Sequence, residues 1–168
     1  MNTEEINEHL RVIACHVSED DIALICKYAQ TAKDGDVLVD IGTAYGKSCG
    51  AMALTNPSVT VYSLDIEESP LRLKEIPNNL KFIRANSQEY QWQDGEIAMM
   101  NIDGGHQYEE VRGDLENWLP HVKTGGYIVL HDYLMPEFGV RKAVDEFVKE
   151  GKLEFLETQG ISCAVKIL

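Results

Sequence analysis

Apolar positions along the chain keep switching between two spacings. Near-continuous apolar runs such as Val37-Leu38-Val39 alternate with stretches where apolar residues recur every three or four positions, as at Ile22, Ile25, Cys26 and Ala29. The first spacing belongs to strands buried on both faces of a parallel sheet, the second to amphipathic helices. Read in this way, the chain begins with helices over 4–15 and 18–33, the second capped by Ser18 with Glu19, Asp20 and Asp21 in its first turn, where the helix dipole favours anions. A strand over 36–41 and a helix over 46–55, stopped by Asn56-Pro57, come next. Strands follow at 59–64, ending on Asp65, at 80–84 and at 96–102, ending on Asp103. A short helix over 69–76 lies between the first two of these, and a loop with one helical turn spans 86–94. A helix over 107–119 leads to Gly125-Gly126, which opens a strand over 127–131 that ends on His131-Asp132. Val140, Ala143, Val144, Phe147 and Val148 give the helix over 139–150 its inner face. Strands at 153–157 and 162–167 close the chain.

The connection between these last strands is too short for anything but antiparallel neighbours. The whole pattern predicts an α/β fold: a Rossmann-like open sheet, mostly parallel with a C-terminal antiparallel hairpin, and helices on both faces. We expect one domain over 1–168, with residues 1–35 as N-terminal helices and 36–168 as the α/β core. In open sheets of this kind ligands bind beyond the carboxyl ends of the strands, where the strand order reverses. The residues to watch are therefore those that end strands: Gly42, Asp65, Asn86-Ser87, Asp103 with His106, and His131-Asp132.

Charge narrows the choice of ligand. With 28 acidic and 15 basic residues the chain carries a net charge of −13. Its basic residues are scattered, which argues against nucleic acid and anionic membranes as partners. No run approaches the ~20 apolar residues of a membrane helix. The N-terminus is acidic and has no apolar run of a leader. Cys15, Cys26, Cys49 and Cys163 lie far apart, without zinc-ligand spacing, and read as thiols in a reducing compartment. These features point to a cytoplasmic protein.

The most informative stretch is the turn after the first strand, Asp40-Ile41-Gly42-Thr43-Ala44-Tyr45-Gly46-Lys47-Ser48. A phosphate-gripping P-loop needs one residue more between its glycine and Gly-Lys-Ser, and a dinucleotide turn needs glycine where Ala44 stands. Its glycines either let the backbone approach a ligand closely or simply permit a tight turn. Asp65, with Ile66 beside it, stands where a carboxylate can accept both hydroxyls of a ribose, or cap the next segment. Asn86-Ser87 either hydrogen-bonds a base or forms a turn. Trp92 covers that base or, more simply, fills the core. Asp103 and His106 offer a carboxylate for a cation and an imidazole that takes a proton near neutral pH. Asp132 offers a second oxygen ligand. His131, before it, is either a nitrogen ligand or a second acid/base group of a metal-free site.

Asp40-x-Gly42-x-x-x-Gly46-x-Ser48 resembles the first motif of class I S-adenosylmethionine-dependent methyltransferases. Ile102-Asp103-Gly104-Gly105-His106-Gln107-Tyr108 and Gly125-Gly126-Tyr127-Ile128-Val129-Leu130-His131-Asp132-Tyr133 resemble a narrower group, the macrocin- and mycinamicin-type O-methyltransferases and cephalosporin-hydroxylase-like proteins. The likeness spans about residues 36–150. It implies S-adenosyl-L-methionine held by Asp40, Gly42, Thr43, Ala44, Tyr45, Gly46, Ser48, Asp65, Ile66, Asn86, Ser87 and Asp103. It also implies His106 as general base with Asp103 as a catalytic partner. A divalent cation, Mg or Mn, would sit on Asp103, His131 and Asp132. The resembled enzymes commonly carry an acidic residue where this chain has His131. With only about seven loop residues before the last helix, no lid is evident, so the cleft stays open, is completed in a homo-oligomer, or is matched to a large acceptor. A P-loop nucleotide-binding protein, a non-catalytic accessory protein that binds the same cofactor, and an iron hydroxylase are the alternatives.

Overall fold

The computed structural model describes residues 1–67 and 71–168. Its strands are β1 (Val37–Ile41), β2 (Thr60–Asp65), β3 (Leu80–Arg84), β4 (Ile97–Ile102), β5 (Val122–Leu130), β6 (Leu153–Gln159) and β7 (Ser162–Ile167). They form one sheet in the order β3-β2-β1-β4-β5-β7-β6. The pairs from β3 to β5 are parallel, and β7 runs antiparallel to both β5 and β6. The order reverses between β1 and β4, which puts the cleft of an open sheet above the carboxyl ends of those two strands.

Helices cover both faces because strand residues alternate between them. Leu38 packs with Ile6, Leu10, Ile22, Ile25 and Met52 under α1 (Thr3–Leu10), α2 (Glu19–Ala29) and α3 (Lys47–Thr55). Its neighbours Val39 and Ile41 face the other way, against Leu115, Trp118, Val144 and Phe147 from α4 (Tyr108–Trp118) and α5 (Val140–Lys149). Burying side chains of this size stabilises by about 1.5–3 kcal/mol each. Trp92 belongs to this second layer: it is 6% exposed, packs edge-on to Tyr62 and donates its indole N–H to the Gly95 carbonyl. Ser18 caps α2 as its sequence suggests, exchanging hydrogen bonds with Asp21.

Four expectations need correction. Residues 69–70 of the expected helix over 69–76 lie outside the described residues, and 71–76 are not helical. The Arg72 N–H donates to the Tyr45 carbonyl, and Leu71 and Leu73 lie over Gly46 and Gly50 of the α3 region. Contact with α3, together with Pro77 after Ile76, outweighs the local helical spacing. β5 begins at Val122 rather than 127; the ladder slips between Ile97 and Met99, and Gly125 at φ +79° absorbs the irregularity. The first helix stops at Leu10, well short of 15, and the second at Ala29 rather than 33.

Candidate active site

The ends of the parallel strands are pinned to one another by backbone hydrogen bonds that continue the sheet ladder. Gly42 donates to Leu64, Ala85 to Asp65, Asp103 to Ile41 and His131 to Ile102. The strand-end residues singled out from sequence are thereby held side by side. Two adjoining cavities open above them, of about 530 and 490 Å³, and both are walled by Gly42, Ala44 and Asp103.

The smaller cavity runs over β1, β2 and β3. Leu64, Asp65, Ile66, Ala85, Asn86 and Ser87 line it, together with Glu110 and Asp114 from α4. The Asp65 carboxylate accepts the N–H groups of Ala44 and Glu67, which fixes it at the rim in a turn; no helix follows before β3 among the described residues for it to cap. Each of its oxygens keeps a lone pair for a ligand. Ile66 is 66% exposed, an apolar surface left uncovered at the cavity wall. Asn86 Oδ1 accepts the Gln88 N–H, so the turn reading holds and its amide NH2 is what remains to face a ligand. Ser87 donates to Asp114, whose carboxyl is pushed up to about 6 by burial. Asp114 and Glu110 were invisible as site residues in the sequence. They look like ordinary helix-surface acids until α4 is seen to start beside the ends of β3 and β4.

The larger cavity runs over β1, β4 and β5. Thr43, Tyr45, Ser48, His106, His131, Asp132, Met135 and Phe138 line it, as do Cys15, His16 and Val17 from the segment between α1 and α2. His106 stacks on Phe138 at 4.8 Å between ring centres, and its Nδ1 lies 3.0 Å from Asp132 Oδ2. The carboxylate can hold the Nδ1 proton and leave Nε2 free to accept one, the arrangement that orients a general base. Asp132 reaches back because its backbone is left-handed, φ +60°, a rare state for a residue other than glycine. His131 is buried beneath it, with Nδ1 3.2 Å from Asp103 Oδ1 and 3.3 Å from Asp132 Oδ1. Donor atoms of Asp103, His131 and Asp132 all lie within 4.8 Å of one another. Although burial alone would lower the His131 pKa, the carboxylates of Asp103, Asp21 and Asp132 around it drive it up to about 10.

Several sequence readings change here. Asp40 lines neither cavity: it is fully buried beneath them and accepts hydrogen bonds from Ser63 Oγ and Asn101 Nδ2. Ser63 in turn bonds Thr43, so Asp40 ties β1, β2 and β4 to the turn from beneath the cavities. The protein itself already requires glycine at position 42, since a Cβ there would overlap the Asp103 carbonyl. Lys47, the P-loop-like lysine, donates to the Val17 carbonyl and fastens the α1–α2 segment to the cavity wall. Tyr108 and Arg112 both bond Glu146 and join α4 to α5, away from either cavity. Cys26, Cys49 and Cys163 are buried free thiols, while Cys15 is only partly buried.

Burial also pushes the Asp40 carboxyl up to about 7, against the hydrogen bonds that favour its anion. A carboxyl with a raised folded-state pKa contributes most below its unfolded value near 4, and that contribution fades as pH rises through about 7. Asp40→Asn stays neutral at every pH. Its oxygen can accept from Asn101 while its NH2 donates to Ser63, whose own proton turns to Thr43. The variant should gain on the wild type between pH 4 and 8, on the order of 2–4 kcal/mol at the alkaline end. Parallel stability curves in denaturant titrations across that range would refute this account of Asp40.

Residues 39–133 match the family described as a methyltransferase domain, and the chain belongs to that family. Among solved structures of similar fold is MycE methyltransferase, from a mycinamycin biosynthetic pathway and solved with Mg, SAH and mycinamycin VI. It has a TM-score of 0.73 and 16% identity over 99% of this chain and 54% of its own. The O-methyltransferase NovP has a TM-score of 0.70 and 17% identity over 99% and 88%. An rRNA methylase from Streptococcus thermophilus has 0.66 and 17% over 88% and 96%. At such identities the likeness is one of fold. A curated relative, the uncharacterized protein y4gI of Sinorhizobium fredii, is 25% identical over 126 residues, 61% of this chain and 14% of its own length. The chain thus spans about a seventh of that relative. No helix among the described residues is long and apolar enough to cross a membrane.

Proposed function

We propose that the protein transfers a methyl group from S-adenosyl-L-methionine to a hydroxyl of a small molecule, working as one methyltransferase-like unit over 1–168. The observation that carries this reading is the pair of cavities sharing Gly42, Ala44 and Asp103 as a common wall. The cavity over β2 and β3 suits the cofactor: Asp65 for the ribose hydroxyls, Ile66 against the adenine and the Asn86 amide at its edge. The cavity over β4 and β5 suits the acceptor, with His106 in its wall. The two reactants would meet at the shared residues, in the close orientation on which such transfers depend.

Bound S-adenosyl-L-methionine supplies the electrophilic methyl group. His106 Nε2 would take the proton that the acceptor hydroxyl gives up as it gains the methyl group, with S-adenosylhomocysteine as the other product. Asp132 holds the opposite ring nitrogen and stabilises the imidazolium that results. The Asp103, His131 and Asp132 set suits a divalent cation, because the buried Nδ1 of His131 points between two carboxylates with no hydrogen-bond partner. Such an ion would orient the hydroxyl and ease its ionisation. The small-molecule acceptor is favoured over nucleic acid by the net charge of −13, and the composition remains that expected of a cytoplasmic enzyme.

Calorimetry tests the cofactor assignment. S-adenosylhomocysteine should bind and ATP should not, and Asp65→Ala should weaken the former about 10-fold or more, the cost of losing a charged hydrogen-bond pair. Binding of ATP in preference to S-adenosylhomocysteine would instead restore the P-loop reading that the engagement of Lys47 with Val17 disfavours.

A further inference from the structure

His131 is only 5% exposed, yet neither of its ring nitrogens has a hydrogen bond. Nδ1 faces Asp103 and Asp132 at 3.2 and 3.3 Å. Nε2 faces another carboxylate, Asp21 Oδ2 of α2, at 3.7 Å. Asp21 is itself 1% exposed and takes five donors: the N–H and Oγ of Ser18, the N–H of Ile161, and the N–H and Oγ of Ser162. So many donors favour the anion. An anion behind Nε2 favours a proton on that side, so a metal ion that displaces the Nδ1 proton would meet a nitrogen lone pair directed between the Asp103 and Asp132 oxygens. Two carboxylates gathered around one imidazole nitrogen call for a cation among them. Histidine ligands backed by a carboxylate on the far nitrogen are the usual second support of a metal site.

The donor set decides which cation. Mg2+ demands near-octahedral oxygen and gives up water reluctantly. One imidazole nitrogen with two carboxylate oxygens suits first-row transition ions, whose affinity for nitrogen donors rises along the series. We propose that His131, positioned by Asp21, makes this strand-end site selective for a first-row divalent transition ion over Mg2+. The proposal rests on the site reading above, but its test does not use methyl transfer.

The test uses the full chain, stripped of metal with a chelator and titrated in a calorimeter with CoCl2 or MgCl2 alone. Co2+ should bind one per chain, at least ~100-fold more tightly than Mg2+, with a change in its visible absorption. His131→Asn, which offers oxygen in place of nitrogen, should bring the two affinities to within ~5-fold. Asp21→Asn keeps an oxygen for the Ile161 and Ser162 N–H groups. It should weaken Co2+ by ~10–100-fold and alter its spectrum, while S-adenosylhomocysteine binds as in the wild type. Equal affinities for Co2+ and Mg2+, or no Co2+ uptake by protein that binds S-adenosylhomocysteine, would overturn the proposal and leave the methyltransferase reading intact. Wild-type Co2+ affinity and spectrum in Asp21→Asn would remove Asp21 from it. Should that variant not fold, the wild-type ratio and His131→Asn still decide. Failure to bind S-adenosylhomocysteine would instead count against the function proposed above.

Discussion

Replacing His106 with alanine is expected to slow release of S-adenosylhomocysteine by about 10²- to 10⁴-fold, the usual worth of a positioned general base. Affinity for S-adenosylhomocysteine should change by less than about 2-fold, because His106 borders the acceptor cavity and not the one over β2 and β3. The ring is held on two sides and the backbone behind it is fixed. Phe138 stacks on the ring at 4.8 Å, Asp132 Oδ2 lies 3.0 Å from Nδ1, and the Gly139 N–H donates to the His106 main-chain carbonyl at 2.9 Å. Only Nε2 is left for a substrate. Asp132→Asn keeps the shape of the support but loses its charge. It should give an intermediate loss, showing that the pair acts as a unit. A rate for His106→Ala equal to wild type, in folded protein, would end the assignment of this residue as the base.

Residues of the candidate site differ in how far their neighbours could be read in advance, and the reason is geometric. In a parallel sheet the end of every strand faces the same side. Asp65, Asp103 and His131-Asp132 could therefore be grouped from strand boundaries alone, and β1 to β4 end within a residue of where the apolar runs stop. Side chains that meet by way of helices could not be grouped so. Asp21 looks like one of three acids favoured by a helix dipole. Its contacts with Ser162 and His131 depend on how α2 lies across β7 and β5, which no local spacing encodes. Asn101 carried a faint signal, an amide in the run Met99-Met100-Asn101-Ile102. Its partner Asp40 explains it: both are buried, and each makes the other tolerable. The segment over 71–76 failed for the opposite reason, since its local pattern was helical but Leu71 and Leu73 are taken up by the α3 region. Local chemistry foretold the elements and the strand-end polar residues. What it missed was created by packing between layers.

Gly42→Ala should be the most damaging single methyl in the fold. The residue sits at φ +91°, where a side chain costs about 1–2 kcal/mol by itself. The added Cβ would also overlap the carbonyl oxygen and carbon of Asp103. That carbonyl has little room to retreat, because the Asp103 N–H is bonded to Ile41 and, at the next strand end, the His131 N–H to Ile102. Strain and overlap together should cost on the order of 3–5 kcal/mol, a large share of the ~5–15 kcal/mol that holds a typical domain. The melting temperature would fall by roughly 8–15 °C. Gly35 provides the internal control. It has nearly the same backbone, φ +83°, but nothing lies within 4 Å of the Cβ position, so Gly35→Ala should cost only the ~1–2 kcal/mol of conformational strain. The difference between the two variants isolates the contact with Asp103. Because Gly42 and Asp103 wall both cavities, whatever Gly42→Ala protein remains folded must also bind S-adenosylhomocysteine more weakly than Gly35→Ala. Equal melting temperatures for the two variants would mean that the β4 end yields to the methyl. The rigid junction on which the meeting of donor and acceptor depends would then not exist.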